Sequence, residues 1–113
     1  ECISFYINRF EKRINKQSNM EETNFIHEIP VHLEDTITDK NDNNYKLTAI
    51  ITQSSTNHLL FFQVDNYWYL YNSMFDPDIQ DDYIIKIGVL QDLSNYREGL
   101  VKKTGVVYFY QLK

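Results

Sequence analysis

The side chains best suited to chemistry lie in one run, Asn57 to Ser73, where His58 and Asn72 bracket two apolar stretches. A histidine changes charge near neutral pH and so can take up and return a proton, while an amide oxygen accepting from the imidazole N–H fixes the ring. Asp65 and Asn66 tolerate positive φ and make a reversal between the two stretches, which predicts a hairpin. Directly opposed residues share a sheet face, so the loop length decides what meets His58. A three-residue loop over Val64 to Asn66 sets Phe62 against Trp68, Leu60 against Leu70 and His58 against Asn72. A two-residue loop sets His58 against Ser73 and Gln63 against Trp68, which stacks the apolar residues less well. The three-residue loop is the favoured reading, and it predicts imidazole and amide within hydrogen-bonding reach on strands whose opposed Cα atoms are about 5 Å apart.

Plainer readings compete. His58 can be a strand-end histidine satisfied by a backbone carbonyl, Asn72 a strand-end cap, and Trp68 with its Phe and Tyr neighbours ordinary core. His27, Glu28, His32 and Glu34 have metal-ligand side chains, but the five-residue spacing of the histidines in a segment broken by Pro30 puts the imidazoles on opposite faces. No metal and no cofactor is expected.

The elements that would position these residues are mostly strands. Cys2 to Phe10 alternates Ile3, Phe5 and Ile7 with Ser4, Tyr6 and Asn8, the period of a first strand. Glu11 to Asn24 is polar without an apolar stripe and reads as an exposed connection with at most a short helical turn. Phe25 to Leu33 is β-prone but interrupted by Pro30, as in an edge or irregular segment. After a turn-rich loop over Thr38 to Asn44, Tyr45, Leu47, Ala49 and Ile51 alternate with Lys46, Thr48, Ile50 and Thr52 in a further strand. Asp76 to Asp82 is an acidic loop, Tyr83 to Leu90 reads equally as strand or helical turn, Gln91 to Lys103 holds a short helix, and Val106 to Tyr110 is the last strand. The expectation is a mainly antiparallel sheet of five or six strands in one domain spanning residues 1–113.

Composition bounds the function classes. The chain has 113 residues, 42% of them hydrophobic, with nine Tyr and seven Phe, which suits one folded, strand-rich domain rather than a disordered segment. Its net charge of −5, with the cluster Asp76, Asp78, Asp81 and Asp82, argues against nucleic acid and is compatible with a basic protein partner. No window approaches the roughly 20 apolar residues of a membrane helix, so no membrane association is expected. Cys2 is the only cysteine, which fits a reducing, intracellular compartment, cytoplasmic or nuclear. A free cysteine of this kind reads as a small buried hydrophobe. A start at Glu1 rather than Met suggests a part of a larger protein.

The order of these motifs resembles the C-terminal half of the ubiquitin-specific protease catalytic domain, the papain-like deubiquitinases of peptidase family C19. Cys2-Ile-Ser-Phe-Tyr-Ile-Asn-Arg9-Phe10 is similar to the family's Leu-Ile-Ile-His-Leu-Lys-Arg-Phe strand. Phe25 to Pro30 with Val31-His-Leu33 is similar to Val-x-Phe-Pro-x-x-Leu, and Tyr45 to Ile51 to Tyr-x-Leu-x-Ala-Val-Val. Asn57-His58-Leu59 falls where the family has Gly-His-Tyr, Trp68 to Ser73 where it has Trp-x-x-Phe-Asp/Asn-Asp, and Gly105 to Tyr110 resembles the closing Ala-Tyr-x-Leu-x-Tyr strand. Each motif alone is weak; six in order span nearly the whole chain.

The resemblance implies an α+β, mainly antiparallel fold like the palm half of a papain-like cysteine protease. It further implies His58 as general base, Asn72 as its orienting residue, and Gln53, Asn57 and Leu59 along the groove for the ubiquitin tail. Ubiquitin or a ubiquitin-like protein, and a Cys-bearing half of the domain, are the implied partners. The family's nucleophilic cysteine box and oxyanion-hole amide are not found in these residues, and Cys2 falls on the wrong strand to replace the nucleophile. Asn57 stands where the family's glycine lets the tail lie against the backbone, the segment Thr52 to Thr56 has no glycine, and Ser73 replaces an acid. Two functions are therefore expected in competition: the His/Asn side of a deubiquitinase site, or a catalytically inactive protein-interaction or scaffold module.

Overall fold

The computed structural model describes residues 2–7, 10–15, 17, 20–25, 30–53, 58–72 and 84–113, and within these the backbone alone at 10–15, 20–25 and 72. The strands are β1 (Cys2–Tyr6), β2 (Phe10–Asn15), β3 (Met20–Phe25), β4 (Thr36–Thr38), β5 (Asn44–Gln53), β6 (His58–Val64), β7 (Tyr67–Asn72), β8 (Ile84–Gly88) and β9 (Gly105–Leu112). Two short helices, α1 (Leu90–Asn95) and α2 (Leu100–Thr104), lie between β8 and β9. The main sheet runs β1-β9-β5-β6-β7-β8, every pair antiparallel. Strand β4 pairs with the first residues of β5 along the edge that β6 takes up further on. The result is a mostly antiparallel β protein with little helix, compatible with an α+β class.

Strand β5 is the centre of this arrangement, and its alternation is not the simple one that the sequence suggests. Tyr45 and Leu47 are buried, but so are Ile50 and Thr52, three residues further on rather than two. The register with β9 shifts between Leu47 and Ala49, so that Thr48 is the additional residue of a bulge. The Thr48 hydroxyl donates to the Phe109 carbonyl (3.2 Å). A bulge re-aims the strand, and this one swings Ile50 and Thr52 onto the face of Leu47 while Ala49 and Ile51 go to the other.

One face of the sheet is covered. Leu47, Ile50, Phe61, Trp68 and Leu70 on it cluster with Leu93 of α1, Val101 of α2 and Leu33. The Tyr96 ring, just after α1, meets Phe61 edge-on at 6.0 Å. Tyr110 closes one margin: its hydroxyl donates to the Glu34 carbonyl (2.8 Å), and burial, reinforced by the nearby Glu34 carboxylate, raises its pKa above the ordinary tyrosine value. Gly105 has to be small where α2 turns into β9, because a Cβ there would meet the Tyr108 hydroxyl and lie 2.8 Å from the Val101 carbonyl oxygen.

Several expectations are corrected. In the polar run Glu11 to Asn24, residues 11–15 and 20–24 belong to strands β2 and β3, paired antiparallel in a separate two-stranded sheet, rather than to an irregular connection. Polarity did not prevent pairing, because the bonds between the two strands are made by backbone groups and their outer edges can be met by water. The first strand stops at Tyr6, and Phe10 already belongs to β2. Among the described residues the main sheet has seven strands, six along its path and β4 beside β5, rather than five or six, and a second sheet has two. The ambiguous stretch before Leu90 is a strand, and the helix begins only there. Cys2 is exposed, not buried, on the edge strand β1. The strands at Tyr45 to Thr52 and Val106 to Tyr110 are present and slightly longer than read.

Candidate functional site

The β6–β7 hairpin holds the residues on which the catalytic expectation rests. Its loop is Asp65-Asn66, two residues with φ of 50° and 68°, and Val64 pairs directly with Tyr67. Positive φ at both central positions gives a primed turn whose twist matches that of the strands, and Asp and Asn reach this conformation at low cost. The three-residue loop is therefore overturned. The pairs are Gln63 with Trp68, Phe62 with Tyr69, Phe61 with Leu70, Leu60 with Tyr71 and Leu59 with Asn72. The apparent mismatch of Gln63 against Trp68 is resolved by the fold, because the Gln63 amide donates to the Leu47 carbonyl (2.9 Å). Aromatic pairing is not lost either: Phe62 stacks on Tyr69 at 5.6 Å with rings 19° apart.

This register separates the expected pair. Position 72 stands across from Leu59, and His58 stands across from Gln53 of β5. Because successive strand positions alternate between faces, positions 58 and 72 belong to opposite faces of the sheet. The expected hydrogen-bonded pair of His58 and Asn72 is corrected accordingly. The other groove candidates divide too: Gln53 shares the face of His58, whereas the half-buried Leu59 packs against the covered core. Asn57 lies outside the described residues, as do Ser73, the acidic run Asp76 to Asp82, His27 and Glu28. Cys2 sits on β1, three strands from β6, and near the opposite end of the sheet from His58. Three strand spacings alone are about 14 Å, too far for thiol and imidazole to share a proton. His32 and Glu34 form an exposed pair at 3.5 Å, and no group of three potential metal ligands occurs among the described residues.

What the register assembles instead is the second face of the sheet. One row across six strands reads Tyr6, Val107, Ile51, Leu60, Tyr71 and Ile84, each paired with the next. The adjacent row contains Phe109, Ala49, Phe62, Tyr69 and Lys86. Tyr6, Tyr71 and Ile84 are 67%, 42% and 51% exposed, while Val107, Ile51 and Leu60 between them are half-buried, so this apolar surface is most open at its two margins. Lys86 places its ammonium 4.2 Å from the centroid of the Tyr67 ring, and Lys46 at the turn end binds the Asn66 side chain. Sequence reasoning assigned these aromatics to the core; the overlooked signal was β7 itself, where Tyr67, Tyr69 and Tyr71 alternate with Trp68 and Leu70.

The class defined by these observations is a mainly antiparallel β domain with one helix-covered face and one open aromatic face. No protein-family model and no curated protein matches the sequence.

Proposed function

We propose that the chain is a catalytically inactive, ubiquitin-specific-protease-like module that binds protein partners. The observation that carries this reading is the β6–β7 register, with positions 58 and 72 on opposite faces. The resemblance gives the orienting of His58 to Asn72, and a residue on the other face of the sheet does not reach the imidazole to hold its tautomer. The departures from the family at Asn57, Leu59 and Ser73 support the same reading, since they alter the groove in which the ubiquitin tail would lie. An order of strand motifs similar to the protease palm, set in a mostly antiparallel sheet, supports retention of the scaffold without the chemistry. Ubiquitin or a ubiquitin-like protein is the partner implied by the resemblance.

Two measurements test this. The chain is expected neither to hydrolyse a ubiquitin C-terminal amide nor to form an adduct with ubiquitin carrying a C-terminal electrophile, Cys2 included. Turnover that disappears in His58→Ala overturns the inactive reading. Separately, titration of ubiquitin into the isotope-labelled chain is expected to shift amide resonances, and an unchanged spectrum removes ubiquitin as the partner.

A further inference from the structure

We infer that the outer edge of β1 takes up an extended segment of a protein partner as an added antiparallel strand, with one apolar side chain of that segment seated at the cleft beside Phe5. The inference rests on the reading of the chain as an interaction module, and it does not depend on ubiquitin being the partner.

Strand β1 ends the main sheet and pairs with β9. The Ile7 N–H donates to the Val106 carbonyl (2.7 Å), which makes these two a hydrogen-bonded pair. Such pairs alternate along an antiparallel ladder, so the unbroken register gives Phe5 with Tyr108 and Ile3 with Tyr110 as the others. The N–H and C=O groups of Cys2, Ser4 and Tyr6 therefore point away from β9. All three residues are exposed, which places this edge in solvent. An edge row of alternating donors and acceptors is matched by another extended backbone. The sequence of the edge does not oppose that pairing, since Cys2-Ile-Ser-Phe-Tyr-Ile7 has no charge and no proline. The other described margins are guarded: β8 carries Lys86 at its centre and β4 is three residues long, and lysines and short strands both discourage edge pairing.

A second observation at the same strand says what side chain the added segment brings. On the helix-covered side of the sheet, a cleft of about 150 Å³ is lined by Phe5 and Ile7, by Tyr108 and Tyr110 of β9, and by Val31 and His32. Phe5 remains 46% exposed there, although its ring meets that of Tyr110 edge-on at 5.7 Å. An apolar space of about this volume holds a benzene ring, which sets the anchor as Phe or a side chain of similar size. The position of an added strand that opposes Phe5 shares its face. It also forms a non-hydrogen-bonded pair with Phe5, the kind whose Cα atoms approach to about 4.5 Å and whose side chains are closest. The anchor therefore stands next to the cleft, so that backbone bonds supply the pairing and the cleft selects the side chain. Six residues of edge are about 20 Å long on a sheet about 10 Å thick, or roughly 200 Å² against the roughly 800 Å² per partner of a standard globular interface. That favours a short segment over a second copy, which needs contacts beyond this edge.

The test uses the full chain and a fluorescent peptide, Thr-Val-Thr-Phe-Thr-Val-Thr, followed by fluorescence anisotropy. With Phe opposite Phe5, the two Thr flanking it face the N–H and C=O groups of Ser4 and Tyr6, and the two Val face away from the edge. N-methylation of those two Thr is expected to weaken binding at least about tenfold through the lost backbone bonds, whereas N-methylation of the two Val leaves it within about threefold. Replacing the peptide's Phe by Ala is expected to weaken binding at least about tenfold. Ser4→Pro removes an N–H that points away from β9, a position at which edge strands accept proline. It is expected to abolish binding while the chain still melts cooperatively. No binding of the parent peptide, equal affinity of the two N-methylated peptides, equal affinity of the Phe and Ala peptides, or a folded Ser4→Pro chain that binds like the parent overturns the proposal. So does sedimentation showing a dimer that Ser4→Pro dissociates, since the edge is then occupied by a second copy. None of these outcomes bears on ubiquitin hydrolysis, so loss of this edge site and loss of the inactive-module reading are read separately.

Discussion

Replacing Trp68 by alanine is the most direct probe of how the sheet is layered. Trp68 is 1% exposed and lies on the helix-covered face, opposite Gln63 on one side and Gly88 on the other. An indole buries about 200 Å², worth about 5 kcal/mol at about 25 cal/mol per Å². Alanine keeps the Cβ and the neighbours relax in part, so about 4 kcal/mol of lost stability is expected. For a domain whose stability is of the order of 5–15 kcal/mol, that is a large fraction. With a urea m-value of about 1.5 kcal/mol/M, the midpoint falls by about 2.5 M. Phe62→Ala, on the half-buried opposite face, is expected to cost only about 1–2 kcal/mol. The double variant then decides the layering. Phe62 faces Tyr69 and not Trp68, so the two costs are expected to add within about 0.5 kcal/mol. A coupling above about 1 kcal/mol would mean that the rings touch, as the three-residue loop requires, and would refute the register together with the separation of positions 58 and 72. A Trp68→Ala cost below about 1 kcal/mol would refute the assignment of the covered face.

The same denaturation assay is expected to find His58→Ala within about 0.5 kcal/mol of the parent, because this histidine is exposed at a strand end; a cost comparable to that of Trp68→Ala would make it structural. Gly105→Ala is expected to destabilise by about 1–3 kcal/mol, since the new Cβ meets the Val101 backbone carbonyl, which cannot rotate away. Tyr110→Phe should cost about 1 kcal/mol at neutral pH through loss of the bond to the Glu34 carbonyl. The folded pKa of Tyr110 is raised, so its contribution is fully present below the ordinary tyrosine value near 10 and is lost as pH rises through the folded value. Melts of parent and Tyr110→Phe are therefore expected to converge above about pH 10, and a constant gap would show that the hydroxyl is not the group responsible.

What the sequence determined by itself was local. Period-two runs at Tyr45 to Thr52 and Val106 to Tyr110 announced strands, and Asp65-Asn66 announced a reversal, because alternation and tolerance of positive φ are properties of a few consecutive residues. The single antiparallel class followed from the density of such runs. Only the tertiary structure decided which face each side chain occupies. One residue of loop length flips a whole strand, and apolar pairs offered at both registers differ too little for pairwise stacking to choose between them. The choice came from the primed turn and from the Leu47 carbonyl that satisfies Gln63, a partner 16 positions away. The Thr48 bulge likewise re-phased β5 through its pairing with β9, which is invisible in a run that alternates without a break. The polar strand pair β2–β3 escaped notice because its pairing is carried by backbone hydrogen bonds, which every sequence possesses. The candidate site depended on these same choices of face: His58 and Asn72 were legible as residues, but their opposition across the sheet, and the open face of Phe62, Tyr69 and Tyr71, existed only once long-range pairing had set the register.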